Sequence, residues 1–345
     1  MRVALIFNQK SDRSFSEHEL EWDSPETIQS VLGAISSQHE VIPIHADQNI
    51  FHKLQASKID IIFNIAEGTV GRNRESHVPA IAEYLGIPYT GSDSLTLGLC
   101  LDKIKTKEIL HFYQIPTPRF AVVEWEQGDH SWSGPFPAVV KPAWQGSSMG
   151  IHDDCWVENK RDLSRKIREI RQKIHEPLLI EEALAGSEFT AALMGNGRDL
   201  CVLPLVEVLF DALPQGAHPI YSYEAKWIWD VEESPLEIFQ CPARISVSLK
   251  MKIEALAKKT FCALECRDWC RIDIRLDEDK NPCILELNPL PGILPDPRQN
   301  SCFPKAARAA GLSYQEMILK VLSAAMKRWG LAPHQNLTDV KRGMR

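Results

Sequence analysis

The chain has 345 residues, 44% hydrophobic and 25% charged, an ordinary globular balance with room for two or three domains. A net charge of -7 gives no reason to expect nucleic acid or an anionic membrane as partner, and no apolar run reaches the ~18 residues that a membrane span requires. Nine cysteines, an odd number without paired spacing, fit free thiols in a reducing compartment, so a cytoplasmic protein is expected.

Arg2-Val-Ala-Leu-Ile-Phe7 reads as a short buried strand and not as a signal peptide. A polar loop, Asn8 to Asp23, follows. Ser24 is a good N-cap, with Pro25 at the first helical position and Glu26 in the first turn, which predicts a helix to about Ser36. Glu40 to Ile44 and Ile59 to Asn64 read as two further strands. This βαβ rhythm predicts a small parallel sheet, α/β in class, with ligands beyond the carboxyl ends of its strands. Those ends carry the loops Asn8 to Glu21 and Ala66 to Glu75, which read equally as functional loops or as solvated connections. A helix from about Val78 to Leu85, a strand and turn at Gly86 to Gly91, and a helix from Ser94 to His111 come next. The last contains Asp102-Lys-Ile-Lys-Thr-Lys107.

A second unit takes Pro118 to Glu124, the strand Phe136 to Pro142, a helix around Lys160 to His175 and the strand Pro177 to Glu181. The expected domains are 1–96, 97–180 and 181–345. In the third, Lys250 to Cys266 reads as an amphipathic helix and Lys305 to Trp329 as a closing helical region. The tail after Leu331 is polar and expected to be loose. Cys262, Cys266 and Cys270 recur every four residues. On a helix they would form a stripe, either a small apolar core face or zinc ligands.

Cys270-Arg-Ile-Asp-Ile-Arg-Leu-Asp277 and Pro282-Cys-Ile-Leu-Glu-Leu-Asn-Pro-Leu-Pro-Gly292 read as two apolar strands joined by a polar turn. Alternation puts Arg271, Asp273 and Arg275 on one face of the first, and Glu286 and Asn288 on one face of the second. If the strands pair, Asp273, Glu286 and Asn288 converge as hard oxygen ligands suited to Mg²⁺ (or Mn²⁺), or they form a solvated acidic face. In Ala138-Val-Val-Lys-Pro-Ala-Trp-Gln-Gly-Ser-Ser-Met-Gly150 a lysine ends an apolar strand, where its charge needs a partner. The Gly-Ser-Ser-Met-Gly after it can fold over phosphates, or it is an ordinary turn beside a snorkelling lysine. No Gly-x-x-x-x-Gly-Lys-Ser/Thr is present, so this is not a P-loop. Leu178-Leu-Ile-Glu-Glu-Ala-Leu-Ala-Gly-Ser-Glu-Phe-Thr190 carries three glutamates that also read as solvated acids on a strand edge.

In this order these stretches resemble the D-alanine–D-alanine ligases of the ATP-grasp superfamily, from about Val3 to Leu322. The resemblance implies a three-domain ATP-grasp fold with a Rossmann-like N-terminal parallel sheet. It implies an enzyme that activates a carboxylate with ATP to an acyl phosphate, which an amine then attacks. ATP and Mg²⁺ (or Mn²⁺), small amino-acid-like substrates and a homodimer come with that likeness. On it, Lys103, Lys141 and Lys226 of Tyr223-Glu-Ala-Lys-Trp227 contact phosphates. Backbone atoms at Glu182 to Leu184 take adenine, Glu181 accepts from its exocyclic amine, and Glu188 holds the ribose. Ser147 orients the phosphate loop toward the acyl substrate, and Arg271 stabilises the tetrahedral oxyanion. Ser301, with Cys302 beside it in Asn300-Ser-Cys-Phe-Pro-Lys-Ala-Ala-Arg-Ala-Ala-Gly311, binds the carboxylate of the second amino acid.

Three departures stand out. Trp227 occupies a position where the family typically has tyrosine. Phe63-Asn-Ile-Ala-Glu-Gly68 stands where the family usually has His-Gly, so Glu67 replaces an imidazole near the first substrate. Gly71-Arg-Asn-Arg-Glu75 is more charged than the family's turn, and Arg72 and Arg74 are placed to neutralise Glu67. The glutamate that grips the first substrate's amino group has no clean counterpart; Glu21 is the first choice and Glu17 the alternative. The open readings are a D-alanyl-D-alanine enzyme, a ligase joining other amino acids in peptide or natural-product synthesis, and a non-catalytic nucleotide-binding protein on the same fold.

Overall fold

The structure, a computed structural model, describes residues 1–11, 19–125, 132–231 and 234–331. Glu17, part of the loop from Asn8 to Asp23 and the tail after Leu331 lie outside the described residues. Val3 to Ile6 are fully buried at the centre of β1 (Arg2–Phe7). A strand apolar on both faces suits a parallel sheet covered on both sides. Helix α1 (Pro25–Ser36) starts as the sequence predicts, with Ser24 accepting from the Thr27 N–H. Then come β2 (Glu40–His45), α2 (Ile50–Ala56) and β3 (Ile61–Asn64), which complete a parallel sheet in the order β2-β1-β3. Helix α3 (His77–Leu85) follows, but the strand expected at 86–91 shrinks to one bridge between Ile62 and Tyr89.

The single helix expected over 94–111 is two. Asp102 is extended, and its carboxylate accepts the Lys105 N–H at 3.0 Å. So α4 (Ser94–Leu101) stops and α5 (Lys103–Phe112) starts under a new cap. Aspartate competes for backbone N–H groups more effectively at a cap than inside a helix. The break places Lys103 in the first turn of α5, with its N–H on the Ala143 carbonyl at 3.0 Å.

The second sheet is antiparallel. It is built from β4 (Phe120–Val123), β5 (Ala138–Pro142), β6 (Trp156–Val157) and, after α6 (Lys160–Arg171), β7 (Leu178–Glu182), in the order β4-β7-β5-β6. β7 runs two residues past the boundary expected at 180. The third sheet holds β8 (Glu188–Met194), β9 (Cys201–Val202), β10 (Val206–Val208), β11 (Phe239–Gln240) and, after α7 (Val247–Ala263), the hairpin β12 (Trp269–Leu276) and β13 (Pro282–Asn288). Its order is β11-β10-β8-β12-β13, with β9 also on β8. Helices α8 (Cys302–Ala309) and α9 (Tyr314–Arg328) close the chain.

Because α7 ends at Ala263, Cys262 lies on it, Cys266 beyond it and Cys270 on β12. The cysteine stripe therefore does not exist, and the zinc reading falls with it. Among the described residues no helix is long and apolar enough to cross a membrane. The first and third sheets share a core in which Val3, Leu5 and Phe63 meet Ala192, Trp269, Phe303 and the buried face of α9. The second sheet has its own core with α6, formed by Val140, Ile180, Leu163 and Ile167.

Candidate active site

One cleft takes its lining from the loops of the first sheet and from both antiparallel sheets, and every predicted site residue among those described borders it. Pairing of β12 with β13 sets Asp273 opposite Glu286 and Arg271 opposite Asn288, with a register shift just after Asp273. Alternation therefore delivers the three oxygen-bearing side chains to one face, as the sequence predicts. Arg271 donates to Asp273 Oδ2 at 2.9 Å, and Asn288 Nδ2 reaches the same oxygen at 3.3 Å. Thr190 on β8 donates to Asp273 Oδ1 at 2.7 Å. Glu286 lies 3.7 Å from both Lys103 and Arg271. Burial alone would raise its pKa, but Lys103 and Arg271 more than offset this and hold it at about 2. Glu286 is therefore ionised at any physiological pH. Two carboxylates and an amide oxygen on a shared face, with one carboxylate firmly charged, match the donor set of a hard divalent cation.

The phosphate-loop candidate leaves the end of β5. Lys141 makes an ion pair with Glu181 on the neighbouring strand β7, and Lys107 from α5 makes a second with the same carboxylate. Lys107 is 1% exposed and also donates to Thr117 Oγ1 at 2.6 Å. Burial pushes the Glu181 carboxyl up, but the two lysines outweigh it and bring it below its ordinary value. So the carboxylate expected to face the adenine amine is occupied by lysines. Lys107 is buried behind the cleft lining, where it supports Glu181. The sequence carries a signal for it, since Lys103 and Lys107 stand four apart on one helix and so share a face.

Ser147 and Ser148 both sit in the left-handed region, with φ of 52° and 60°, a conformation non-glycine residues adopt at a cost. Two contacts hold them there. Ser148 donates to the Tyr221 carbonyl at 2.9 Å, and Trp227 Nε1 donates to the Ser147 carbonyl at 3.0 Å. The indole that replaces the family's tyrosine thus uses its one donor on the loop backbone. Its ring carries Lys10 and Lys226 on cation–π contacts, each 5.2 Å from the centroid. Burial, with help from Arg271, lowers Lys226 to about 8.

At the end of β7 the N–H groups of Glu182 and Ala183 are engaged by the carbonyls of Arg119 and Pro137. Leu184 is buried at the cleft wall. Glu188 is held by Arg275 at 3.2 Å, and burial raises its pKa to about 7 against that pull. Ser301 precedes α8 and donates to the Gly292 carbonyl at 3.0 Å. Cys302, the first residue of α8, is pushed up to about 12 by burial and stays a thiol.

The first-sheet loops overturn the pairing expected for Glu67. Arg74 does not neutralise Glu67: it forms a two-point pair with Glu21, at 2.8 Å for each bond. Arg72 is taken by Asp102 at 2.6 Å. Glu21 thus carries a guanidinium pair while still lining the cleft. Glu67 has no ion pair among the described residues, and burial beside Glu75 and Glu21 pushes it well above the ordinary carboxylate range. Desolvation therefore disfavours its anion. Burial also raises Glu75, to about 8, and Asp23, to about 7. Lys10, in the same pocket, was not foreseen either, because nothing local marks a lone loop lysine as inward-facing.

A family model described as D-ala D-ala ligase C-terminus matches residues 114–323. A D-alanine–D-alanine ligase of Carboxydothermus hydrogenoformans is 32% identical over 336 residues, covering 95% of this chain and 99% of its own. An uncharacterized protein, y4sG, of Sinorhizobium fredii is 31% identical over 346 residues, covering 95% of this chain and 98% of its own. The crystal structure of a D-alanine–D-alanine ligase from Bacillus anthracis complexed with ATP superposes with a TM-score of 0.71 at 22% identity, covering 95% of this chain and 98% of that one. This last likeness gives the fold, an ATP-grasp architecture.

Proposed function

The chain belongs to the D-alanine–D-alanine ligase family, and from that premise we propose that it joins the carboxylate of one amino-acid-like substrate to the amine of another, cleaving ATP to ADP and phosphate. The observation that carries this reading is the convergence of Asp273, Glu286 and Asn288 with Lys103 and Arg271 at one end of a cleft that also holds Lys141 and the Ser147 loop. An inert nucleotide-binding relative would have no need to keep that charged set together. The three oxygen-bearing side chains fit Mg²⁺ (or Mn²⁺), which would draw charge off the β- and γ-phosphates.

Lys103, Lys141 and Lys226 neutralise phosphate oxygens, with Glu181 and Lys107 fixing Lys141. Leu184 supplies the free N–H for adenine, since Glu182 and Ala183 have spent theirs. Glu188 takes the ribose hydroxyls. Arg271 faces the oxyanion, and Ser301 with Cys302 at the start of α8 meets the second carboxylate. Closing the 225–229 turn and the Ser147 loop over the cleft keeps water from an acyl phosphate. We divide the chain into an N-terminal domain, a central domain ending with β7 and a C-terminal domain. We place it in the cytoplasm, working on small molecules, as a homodimer by analogy with the family.

The first substrate is where this enzyme parts from its relatives. Glu67, Glu75 and Asp23 hold half-buried carboxyls of raised pKa in the pocket where the family has an imidazole. A cationic group bound there would pull their pKa values down and pair with the ionised form. Such a site selects an extra ammonium or guanidinium and rejects an extra carboxylate, by ~1–3 kcal/mol. It is therefore not optimised for two D-alanines. The test measures phosphate release as kcat/KM for D-alanine and a panel of D- and L-amino acids, on wild type and Glu67→His. A preference for a cationic first substrate that His abolishes supports the reading. If wild type uses D-alanine in both positions better than anything else, the selection by Glu67 is wrong.

A further inference from the structure

We propose that Arg74 is a positioning residue that ties the first-substrate loop to the base of the phosphate loop, so that the phosphate loop is held in place from the N-terminal sheet. The proposal rests on the ligase reading above. Arg74 is 8% exposed, on the short turn (Arg74–Ser76) before α3. Its guanidinium uses both edges. Nε and Nη2 hold Glu21 at 2.8 Å each, and Nη1 donates to the Trp144 carbonyl at 3.0 Å. Trp144 is the second residue after β5, immediately before Gln145-Gly-Ser-Ser148. Arg72, two residues upstream, lies over the Trp144 ring at 5.2 Å, and Asp102 accepts from both Arg72 and Trp144 Nε1. One loop of the first sheet thus grips Trp144 by its carbonyl and by its ring.

Two glycines show how closely the parts fit. A Cβ on Gly68 would come within 2.3 Å of the Arg74 carbonyl oxygen, so only glycine lets the Glu67 loop fold onto the arginine. A Cβ on Gly146 would meet Glu21 Oε1 at 2.2 Å, so the Glu21–Arg74 pair rests directly on the phosphate-loop backbone. A planar, two-edged fork can bind a carboxylate and a carbonyl at once; an ammonium cannot reproduce both angles. Losing the fork should let the 144–150 backbone drift, and a drift near 1 Å at a phosphoryl site costs up to about a hundredfold in rate.

A bridge that merely joins two parts of the fold would alter stability and leave turnover alone. The test is therefore Arg74→Lys, which keeps the charge. It is read by steady-state phosphate release, product yield per ATP and amide hydrogen exchange. We expect kcat to fall about 30-fold with the KM for ATP changed less than about threefold, more ATP spent per product, and faster exchange confined to residues 144–150. Wild-type kcat, or unchanged exchange at 144–150, overturns the proposal, as does a lower melting temperature with intact kinetics. Should Arg74→Lys not fold, Glu21→Gln weakens the same fork from the other side, with the same signature expected at smaller size and the same results overturning it. If wild type releases no phosphate with any amino acid, the ligase reading falls, and the exchange measurement alone decides whether Arg74 holds the loop.

Discussion

The β12–β13 hairpin and the first-sheet loops around 8–23 and 65–76 both bring charge to the cleft, but they place it on different principles. In the hairpin, two of the contacts are two residues away or diagonal across the strand pair: Arg271 meets Asp273, and Asp273 meets Asn288. In the loops, Arg72 finds Asp102 at a distance of 30 residues, Arg74 finds Glu21 at 53 and Trp144 at 70. A strand's period of two assigns a face before any tertiary contact forms, and antiparallel pairing then restricts each side chain to a few neighbours. A loop has no period, so its charges are partnered by whatever the fold brings near. The hairpin can therefore serve as a constant charged end of the cleft. In the loops, Glu67 has no ion pair among the described residues and can vary, whereas Arg74 is tied to the base of the phosphate loop.

The largest effect should come from the constant end. Glu286→Gln keeps shape and pairing but loses the charge opposite Lys103 and Arg271, and turnover should drop on the order of 10³-fold with the circular dichroism spectrum unchanged. Near-normal turnover would break the comparison at its firmest point. A smaller loss is expected at Lys141, whose partner Glu181 lies on the adjacent strand. Lys141→Ala should weaken ATP binding by calorimetry about 10- to 100-fold, since a charge-assisted phosphate contact goes. Unchanged binding would make Lys141 a structural partner of Glu181 only.

The smallest effect sharpens the loop side. Asp23 has a folded pKa near 7 against an ordinary 3.8, because burial outweighs the pull of Lys10. The folded state then holds a proton that the unfolded chain releases, so stability is lost as pH rises from about 4 to about 7 and stays flat above. Asp23→Asn removes that slope. The variant should match wild type in urea unfolding at pH 4.5 and exceed it at pH 8 by on the order of 1–2 kcal/mol, after allowance for solvent screening. An equal offset at both pH values would mean that Asp23 is not desolvated as the structure implies.

Where structure departed from expectation, side-chain chemistry overrode a regular pattern. The helix over 94–111 broke at Asp102 because that carboxylate serves one cap and two neighbours at once. The four-residue cysteine spacing spanned a helix end and a strand, so it never became a face. Trp227 departs from the family's tyrosine, yet its single N–H finds the Ser147 carbonyl.

The sequence by itself determined the elements whose signal is periodic or capped. These are β1 with its apolar run, α1 from Ser24, the hairpin with Asp273, Glu286 and Asn288 on one face, and the strand lysine ahead of a Gly-Ser loop. It also carried the family, because those motifs follow one another in a fixed order. Only the tertiary structure decided which charges stay free. Glu181 and Glu21 are paired, Glu67 has no ion pair among the described residues, and Lys107 and Arg74 support the cleft from behind its lining. The physical reason is range: faces and caps are set within a few residues, whereas burial and ion pairing depend on groups that only the finished fold brings within a few ångströms.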